Sequence, residues 1–249
     1  MKKPKVKRTP KYREVLELKE PEDNFITFKE VKLTPKQKIV YDLIVNNKII
    51  SITGVQGTSK TFIAAYAALK LFNSDPNVNK VMIVKPTEIV GSTALGYTPG
   101  TVEEKLAVYL ENFNDVFEDI VDERTITQMV SAKELQFKAA QFVRGRTIKN
   151  TILIIDEFQN FELNTLVAIL TRLGKHSKII LCGDIKQNDI AKQYVAVNVI
   201  KELLTDHPGI VQFEFDKSDN MRDPLVIRLV DKLEKMEAEG KLTPNRKGA

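Results

Sequence analysis

Short apolar runs alternate along this chain with stretches in which apolar positions recur at helical spacing. The first helical stretch, LTPKQKIVYDLIVNN, contains Thr34 as a candidate N-cap and predicts a helix from about 35 to 46. Five β-rich runs are predicted as strands: IISIT (49–53), KVMIVK (80–85), TILIID (151–156), KIILCG (178–183) and IVQFEF (210–215). Because these runs are continuously apolar and lie between helices, they are typical of parallel strands covered on both faces.

Three further helices are predicted between these strands. TFIAAYAALKLF follows the first strand, TVEEKLAVYLENF opens with a capping box from Thr101 to Glu104, and LNTLVAILTRL ends at Gly174. This order of elements predicts a doubly wound α/β domain, in which a mainly parallel sheet is flanked by helices. Folds of this kind bind ligands at the carboxyl ends of their strands.

The composition predicts one main domain. In a chain of 249 residues, 43% of them hydrophobic, we expect this domain at 34–235, between a basic N-terminal arm and lead-in at 1–33 and a polar tail at 236–249. No apolar run reaches the roughly 18 residues of a membrane span, and the N-terminus lacks a signal-peptide core, so we expect a cytoplasmic protein with no membrane partner. One cysteine and two histidines are too few for a Cys/His metal cluster.

The positive charge is concentrated at the N-terminus. Seven of the first thirteen residues, MKKPKVKRTPKYR, are basic and none is acidic. Removing these seven from the 38 basic residues leaves 31 against 33 acidic ones, so the net charge of +5 belongs to the arm. Such an arm can hold nucleic-acid phosphates through counterion release, or it can be a solvated tail with no partner.

The segment GVQGTSKT lies between the first strand and the next helix, which is the context of a phosphate-binding loop. Backbone N–H groups of such a loop point at phosphate, so ATP is predicted to contact Gly54, Val55, Gln56, Gly57, Thr58, Ser59, Lys60 and Thr61. Lys60 is expected to reach the β- and γ-phosphates, and the Thr61 hydroxyl to ligate Mg²⁺. Ser59 occupies the place of a glycine. If the loop needs a left-handed residue there, the strain is of order 1 kcal/mol, which is too little to abolish the site.

A second motif, TILIIDEFQ, places two acids at the carboxyl end of a strand. Asp156 is predicted to hold the magnesium shell, and Glu157 to accept a proton from the water that attacks the γ-phosphate; such a pair favours hydrolysis over kinase chemistry. The segment LCGDIKQND brings Asp184 and Gln187 to the same edge of the sheet. Gln187 is a candidate γ-phosphate sensor, because its amide can both donate to phosphate and accept from water.

The motifs together resemble two related groups of ATPases. DEFQ followed by GDIKQ is similar to the nucleotide half of superfamily-one helicases, and TPKQK at 34–38 looks like their adenine-reading segment, with Gln37 as the candidate amide. The resemblance to the PhoH family of P-loop ATPases is closer and covers roughly 34 to 230. It is carried by KPT (85–87), LGYTPG (95–100), RGRT (144–147), DEFQN (156–160), LTRLGKHSKIILCGDIKQ (170–187) and NMRDPLV (220–226). The resemblance implies a RecA-like P-loop NTPase fold, Mg²⁺-dependent ATP hydrolysis, a cytoplasmic location and action on RNA.

The chain departs from the family pattern at a few positions. Ser59 replaces the glycine of the loop, Lys85 stands for an arginine, and the acidic residues that follow that strand are reduced to Glu88. Some relatives carry an additional ribonuclease domain. Residues 1–33 are too few to encode one, so nuclease activity is not expected.

Arginines are needed where charge develops on the γ-phosphate, and they are supplied in cis or by a neighbouring subunit. Arg222 is the first candidate, Arg146 or Arg172 the second, and Arg144 a further one; each has the alternative of pairing with a surface carboxylate. Superfamily-one helicases bring such arginines from a second motor domain, whereas this chain has one such domain. The hypothesis is therefore a homo-oligomer, with a hexameric ring as the expected arrangement.

Three functions follow from these observations. The first is an ATPase that moves on or remodels single-stranded RNA, carried by Lys60, Glu157 and Gln187. The second is a slow-hydrolysing, ATP-gated binding or assembly protein in which Ser59 limits turnover. The third, a small-molecule P-loop kinase, is disfavoured by Glu157 and by the lack of an arginine-rich lid in the sequence. No stacking platform for bases is visible, so RNA binding would depend on backbone charge.

Overall fold

A computed structural model of the chain describes residues 26–86, 113–143, 145–184, 200–205 and 207–241. Its helices are α1 (Pro35–Asn46), α2 (Lys60–Ser74), α3 (Glu123–Ser131), α4 (Leu163–Leu170) and α5 (Pro224–Ala238). Its strands are β1 (Ile49–Thr53), β2 (Lys80–Lys85), β3 (Leu135–Ala139), β4 (Thr151–Asp156), β5 (Lys178–Gly183) and β6 (Ile210–Glu214). Residues 113–118 and 200–203 are also helical. None of the helices in these ranges has both the length and the apolar character needed to cross a membrane.

The strands form one sheet in the order β3-β2-β4-β5-β1-β6, and the five pairings between neighbours are all parallel. Parallel neighbours need crossover connections, so helices pack on both faces of the sheet. The prediction of a doubly wound α/β domain is confirmed. Because β4, β5 and β1 are adjacent, the loops that leave their carboxyl ends meet at one edge of the sheet.

Alternation along the strands divides the core into two clusters. In β4, Ile152 and Ile154 face the cluster under α1, α2 and α3, whereas Leu153 and Ile155 face the cluster under α4. Each of these four side chains has no measurable exposure. Burial on both faces explains why β4 is continuously apolar in sequence.

Most predicted boundaries agree with the structure. The bounds of α1 and of β1, β2, β4 and β5 match, and α2 extends the helix predicted from 61 to 72 by a few residues. The predicted helix at 163–173 ends early, at Leu170, because Leu173 forms a parallel bridge with Ile148. Strand β6 ends one residue before its predicted end. Residues 101–112 of the helix predicted at 101–113 lie outside the described residues.

Three of these elements were not predicted: helix α3, strand β3 and helix α5. Strand β3 is an edge strand in which only Leu135 is fully buried, so its sequence lacks a continuous apolar run. Helix α5 continues to Ala238, past the domain boundary expected at 235. Several of its apolar side chains are exposed: Leu225, Val226, Leu229, Val230 and Leu233.

Candidate functional site

The connection between β1 and α2 combines close packing with unusual backbone angles. Gly54 has φ of 148°, and a Cβ there would lie 2.8 Å from the carbonyl oxygen of Phe215. Gly57 has φ of 83°, and its Cβ would lie 2.5 Å from Oδ1 of Asn220. Both positions therefore require glycine. Ser59 has φ of 60° and ψ of 25°, so the left-handed conformation on which its predicted strain depends is present.

Lys60 folds its side chain back over this loop. Its Nζ donates hydrogen bonds to the carbonyl oxygens of Gly54 and Val55, each at 2.8 Å. Burial lowers the pKa of Lys60, and the negative charge of Asp184 is the largest effect that opposes this shift. The ammonium group is thus held by neutral carbonyls at the centre of the loop, where phosphate oxygens would form stronger, charge-assisted hydrogen bonds with it.

Thr61 and Asp156 join the loop to the end of β4. The Thr61 hydroxyl donates to Oδ1 of Asp156 at 3.0 Å, and Nζ of Lys85 lies 3.5 Å from Oδ2 of the same carboxylate. Asp156 is only 7% exposed. Burial raises its pKa, and the Lys85 charge and the Thr61 hydrogen bond oppose that shift. The hydroxyl and the carboxylate therefore lie side by side, with a lysine on the far oxygen.

The acid after Asp156 is exposed at the end of β4. Glu157 has φ of 52°, and its Oε2 accepts a hydrogen bond from Nδ2 of Asn160 at 3.3 Å. Gln159, which was not predicted as a site residue, is 3% exposed, and its Oε1 accepts from the backbone N–H of Asp184 at 3.1 Å. Its place two residues after Glu157, in the segment DEFQ, was the sequence signal. Gln159 thereby links the ends of β4 and β5.

These side chains line a cavity of about 380 Å³ at the carboxyl ends of β1, β4 and β5. The lining residues are Gln56, Gly57, Ser59, Lys60, Thr61, Phe62, Val116, Asp156, Glu157, Gln159, Gly183, Asp184 and Arg222. Gly54 and Val55 line a second cavity, of about 340 Å³, together with Asp184 and residues 214–217. Thr58 is fully buried and its hydroxyl donates to the Val55 carbonyl at 2.8 Å, so it braces the loop from within.

Among the arginines that the structure describes, Arg222 lines this cavity. Its Nη1 donates to Oε1 of Gln56 at 3.3 Å, and its aliphatic carbons pack against Gly57. Its backbone N–H donates to Oδ1 of Asn220 at 3.0 Å, while Nδ2 of Asn220 donates to the Gln56 carbonyl at 3.0 Å. The segment before α5 is therefore fastened to the phosphate-binding loop, a role for Asn220 that was not predicted.

The other candidate arginines lie elsewhere. Arg146 and Arg172 are exposed. The Arg172 carbonyl accepts from the Ile148 N–H at 2.9 Å, which places it near the amino end of β4. The six residues of β4 separate that end from Asp156 by about 17 Å. Neither arginine lines the cavity of its own chain. Arg144 and Gln187 lie outside the described residues.

Gln37 lies beneath the loop and does not line either cavity. It is 2% exposed and forms both halves of the capping box of α1 with Thr34. Its Nε2 donates to Oγ of Ser59 at 2.7 Å. The TPKQ segment that was interpreted as a base reader is thus also the N-terminal cap of a helix.

Comparison with known proteins agrees with this arrangement. The family model described as PhoH-like protein matches residues 31–234, which is most of the chain. This chain belongs to the PhoH-like family. PhoH-like proteins of Bacillus subtilis and of Synechocystis are each 30% identical to it, over 190 and 206 residues. The first match covers 76% of this chain and 59% of the relative, and the second 82% and 62%. The chain thus spans about three fifths of the length of these relatives.

Solved structures with a similar fold include a terminase and a helicase. The large terminase of bacteriophage HK97 aligns with a TM-score of 0.47 and 14% identity, over 88% of this chain and 51% of the terminase. The Pif1 helicase of Candida albicans aligns with a TM-score of 0.41 and 17% identity, over 83% and 44% of the two chains. The all-parallel sheet, the loop after β1 and the family match together make this a RecA-like P-loop NTPase fold.

The PhoH-like site contains oxygen ligands that suit a magnesium ion. Mg²⁺ prefers carboxylate and hydroxyl oxygens and retains several waters, so one or two protein ligands are enough. The adjacent oxygens of Thr61 and Asp156 meet this requirement. Lys85, which stands where the family resemblance leads us to expect arginine, contributes a positive charge on the opposite carboxylate oxygen.

Proposed function

We propose that this PhoH-like chain binds and hydrolyses ATP with Mg²⁺ and couples hydrolysis to single-stranded RNA. The observation that carries the proposal is the 3.0 Å hydrogen bond between Thr61 and Asp156, because it joins the phosphate-binding loop to the acidic strand end. This juxtaposition is the one that phosphoryl-transfer sites of the P-loop class use. The exposed Glu157 lines the same cavity.

In the proposed reaction, each side chain has a defined task. Backbone N–H groups of the loop and Lys60 bind the phosphates, and Lys60 exchanges its two carbonyl partners for phosphate oxygens. Thr61 and Asp156 would hold Mg²⁺, which when bound neutralises charge on the phosphates. Glu157 accepts the proton of the attacking water, and Arg222 donates to the oxygens on which charge develops.

The proton-accepting role is tested by Glu157→Gln. Removal of a general base lowers kcat by about 10²–10⁴-fold, while ATP affinity is retained because Glu157 does not bind the loop. Glu162→Gln is the matched control, since Glu162 is exposed a few residues later and makes no capping hydrogen bond. Equal turnover in the Glu157 and Glu162 variants would contradict the assignment.

RNA binding is supported by a cationic region at the sheet edge. Lys80 and Lys138 lie on the same face of the sheet. Lys138 of β3 is in register with Val84 of β2, and Val84 is four residues from Lys80 on the same strand, so their side chains point to the same side. Burial lowers the pKa of Lys138, and the nearby positive charges of Arg146 and Lys80 add to the shift. Within the described ranges, none of these three cations forms an ion pair. Phe142, at 43% exposure, lies in the same stretch.

A salt titration of RNA binding tests this part of the proposal. The logarithm of the affinity for a fluorescent single-stranded RNA should fall linearly with the logarithm of salt concentration, and Lys138→Ala should reduce the magnitude of this slope by about one. Lys175→Ala, an exposed lysine elsewhere, should leave the slope unchanged. Binding that is insensitive to salt would contradict a contact based on phosphate charge.

We further propose that the chain acts as a homo-oligomer, with a hexameric ring as the hypothesis. Arg146 and Arg172 are exposed and do not line the cavity of their own chain, and either is a candidate to reach a γ-phosphate in a neighbouring subunit. The exposed apolar side chains of α5 supply an unpartnered surface for such contacts. Light scattering that finds only monomer in the presence of ATP, together with fast turnover, would overturn the ring.

A slow-hydrolysing, ATP-gated protein is the second candidate, and two observations favour it. Ser59 holds a left-handed conformation that is costly for a residue with a Cβ, and Lys85 contacts the carboxylate proposed to hold Mg²⁺. Measurement of ATP turnover in the Ser59→Gly variant distinguishes the two candidate functions. A strong increase in turnover supports the slow protein, whereas a small change supports the ATPase.

A further inference from the structure

The side chain of Gln37 is fully engaged by the protein. Its Nε2 donates to Oγ of Ser59 at 2.7 Å and to Sδ of Met221 at 3.4 Å. Its Oε1 accepts from the backbone N–H of Thr34 at 2.8 Å. An amide NH₂ has two hydrogens to donate, so these contacts use both of them. At 2% exposure, Gln37 offers no donor to a nucleotide base.

The partner of this amide is the residue with the least favourable backbone angles in the loop. Ser59 is the N-cap of α2 and precedes Lys60, so its left-handed conformation sets the direction in which the helix and Lys60 leave the loop. The Ser59 hydroxyl donates to the Thr58 carbonyl at 2.6 Å and accepts from Gln37. Two hydrogen bonds thus fix a conformation that glycine adopts without assistance.

The second contact of the same amide reaches the other side of the loop. The Met221 backbone N–H donates to the Gly57 carbonyl at 2.9 Å, and the next residue is Arg222, which lines the cavity. Gln37 therefore lies at the junction of α1, the phosphate-binding loop and the segment that carries the candidate arginine.

We propose that Gln37 is a positioning residue that holds the phosphate-binding loop through Ser59 and does not select the nucleotide base. The inference rests on the proposed nucleotide binding at this loop. A residue that positions the loop acts on the phosphates, which ATP and GTP share. A residue that reads the base would act on ATP alone.

A double-mutant cycle tests the proposal with Gln37→Ala, Ser59→Gly and the combined variant. Dissociation constants are measured for fluorescent ATP and GTP analogues with Mg²⁺, together with kcat and KM for both nucleotides. Gln37→Ala should weaken both analogues by the same factor, about tenfold for one lost hydrogen bond. In the Ser59→Gly background, the same substitution should change affinity by less than about twofold, because glycine does not need the hydroxyl contact.

Two results would overturn the proposal. One is weaker ATP binding with unchanged GTP binding, which would make Gln37 a base reader. The other is an equal effect of Gln37→Ala in the native and the Ser59→Gly backgrounds, since the residue would then not act through Ser59. Lys38→Ala changes an exposed position on the same helix and is the matched control; it should leave the dissociation constants of both nucleotides unchanged.

The same double-mutant cycle is also measured without nucleotide, as the thermal unfolding of the native protein and the three variants, so that it does not depend on the proposed function. The Tm values of the four proteins should be non-additive, with the combined variant more stable than the sum of the single changes predicts. Loss of nucleotide binding in every protein, with this coupling retained, would refute the proposed function and leave the Gln37–Ser59 contact supported. Additive Tm values would refute the contact. Gln37→Glu retains the acceptor for Thr34 and is used if Gln37→Ala fails to fold.

Discussion

Gly183, at the end of β5, is the position where a single methyl group should disturb the site most directly. A Cβ at this position would lie 2.6 Å from Oε1 of Gln159 and 2.6 Å from Cδ1 of Phe158. Ordinary carbon contacts are about 3.5–4.0 Å, so both side chains would have to move by about 1 Å. Phe158 and Gln159 are each 3% exposed and therefore have no open space into which to move.

The expected cost of Gly183→Ala follows from two contributions. Overpacking a buried site costs about 1–3 kcal/mol, and displacement of Gln159 from the Asp184 N–H removes a hydrogen bond of about 1 kcal/mol. The free energy of unfolding should thus fall by about 3 kcal/mol. For a chain of this size, that corresponds to a decrease in Tm of about 6–12 °C.

Thermal denaturation followed by circular dichroism measures this change, and Gly145→Ala provides the control. Gly145 has φ of 88° and no neighbour within 4 Å of a built Cβ, so alanine there adds backbone strain without a clash. Its cost should be about 1 kcal/mol, or about 2–4 °C. A Tm for Gly183→Ala within 2 °C of the native value, or above that of Gly145→Ala, would refute the packing described around Gln159.

Three other predictions concern charge, burial and the candidate arginine. Hydrogen bonds from Lys36 and Ser218 lower the pKa of Asp216 to about 2, so its carboxylate stabilises the fold above about pH 4 and this contribution is lost as the pH falls towards 2. Asp216→Asn should flatten the dependence of Tm on pH in that window, and an unchanged slope would count against the ion pair with Lys36. Cys182, the single cysteine, has no measurable exposure, so a disulfide reagent should modify it only upon unfolding; modification at the rate of a free thiol would disprove its burial. Arg222→Ala should lower kcat by about 10²–10³-fold, as expected for loss of a donor to developing charge, while Arg124→Ala at an exposed position of α3 should not. Equal kcat values for the two variants would remove Arg222 from the site.

The parts of the fold that were predicted are those in which local pattern and tertiary environment agree. Strands β1, β4 and β5 are buried on both faces, so their sequences are continuously apolar, and Thr34 caps α1 as expected. Strand β3 and helices α3 and α5 were missed. Strand β3 lies at an edge of the sheet with one fully buried residue, and many apolar side chains of α5 are exposed. The sequence of β3 therefore lacks the continuous apolar run of a strand covered on both faces.

The candidate site was predictable where it depends on position along a strand. Lys60, Thr61, Asp156 and Glu157 follow strand ends that the sheet order makes adjacent, and the structure brings them to one cavity. The contact between Gln37 and Ser59 was not predictable, because it depends on how α1 packs beneath the loop.

Arg146 shows the complementary case among the candidate arginines. Its motif suggested a catalytic role, yet motif spacing along the chain does not indicate which side of the sheet a connection crosses. Arg146 is exposed on the connection from β3 to β4 and is not among the residues that line the cavity.

The decisive measurement for RNA-coupled ATP hydrolysis is steady-state turnover with Mg²⁺, with and without single-stranded RNA, in the native protein, in Lys60→Ala and in the control Lys175→Ala. We expect turnover that RNA stimulates, that Lys60→Ala abolishes and that Lys175→Ala retains. ATP binding with no Lys60-dependent turnover, whether or not RNA is present, would contradict it and favour the ATP-gated binding protein.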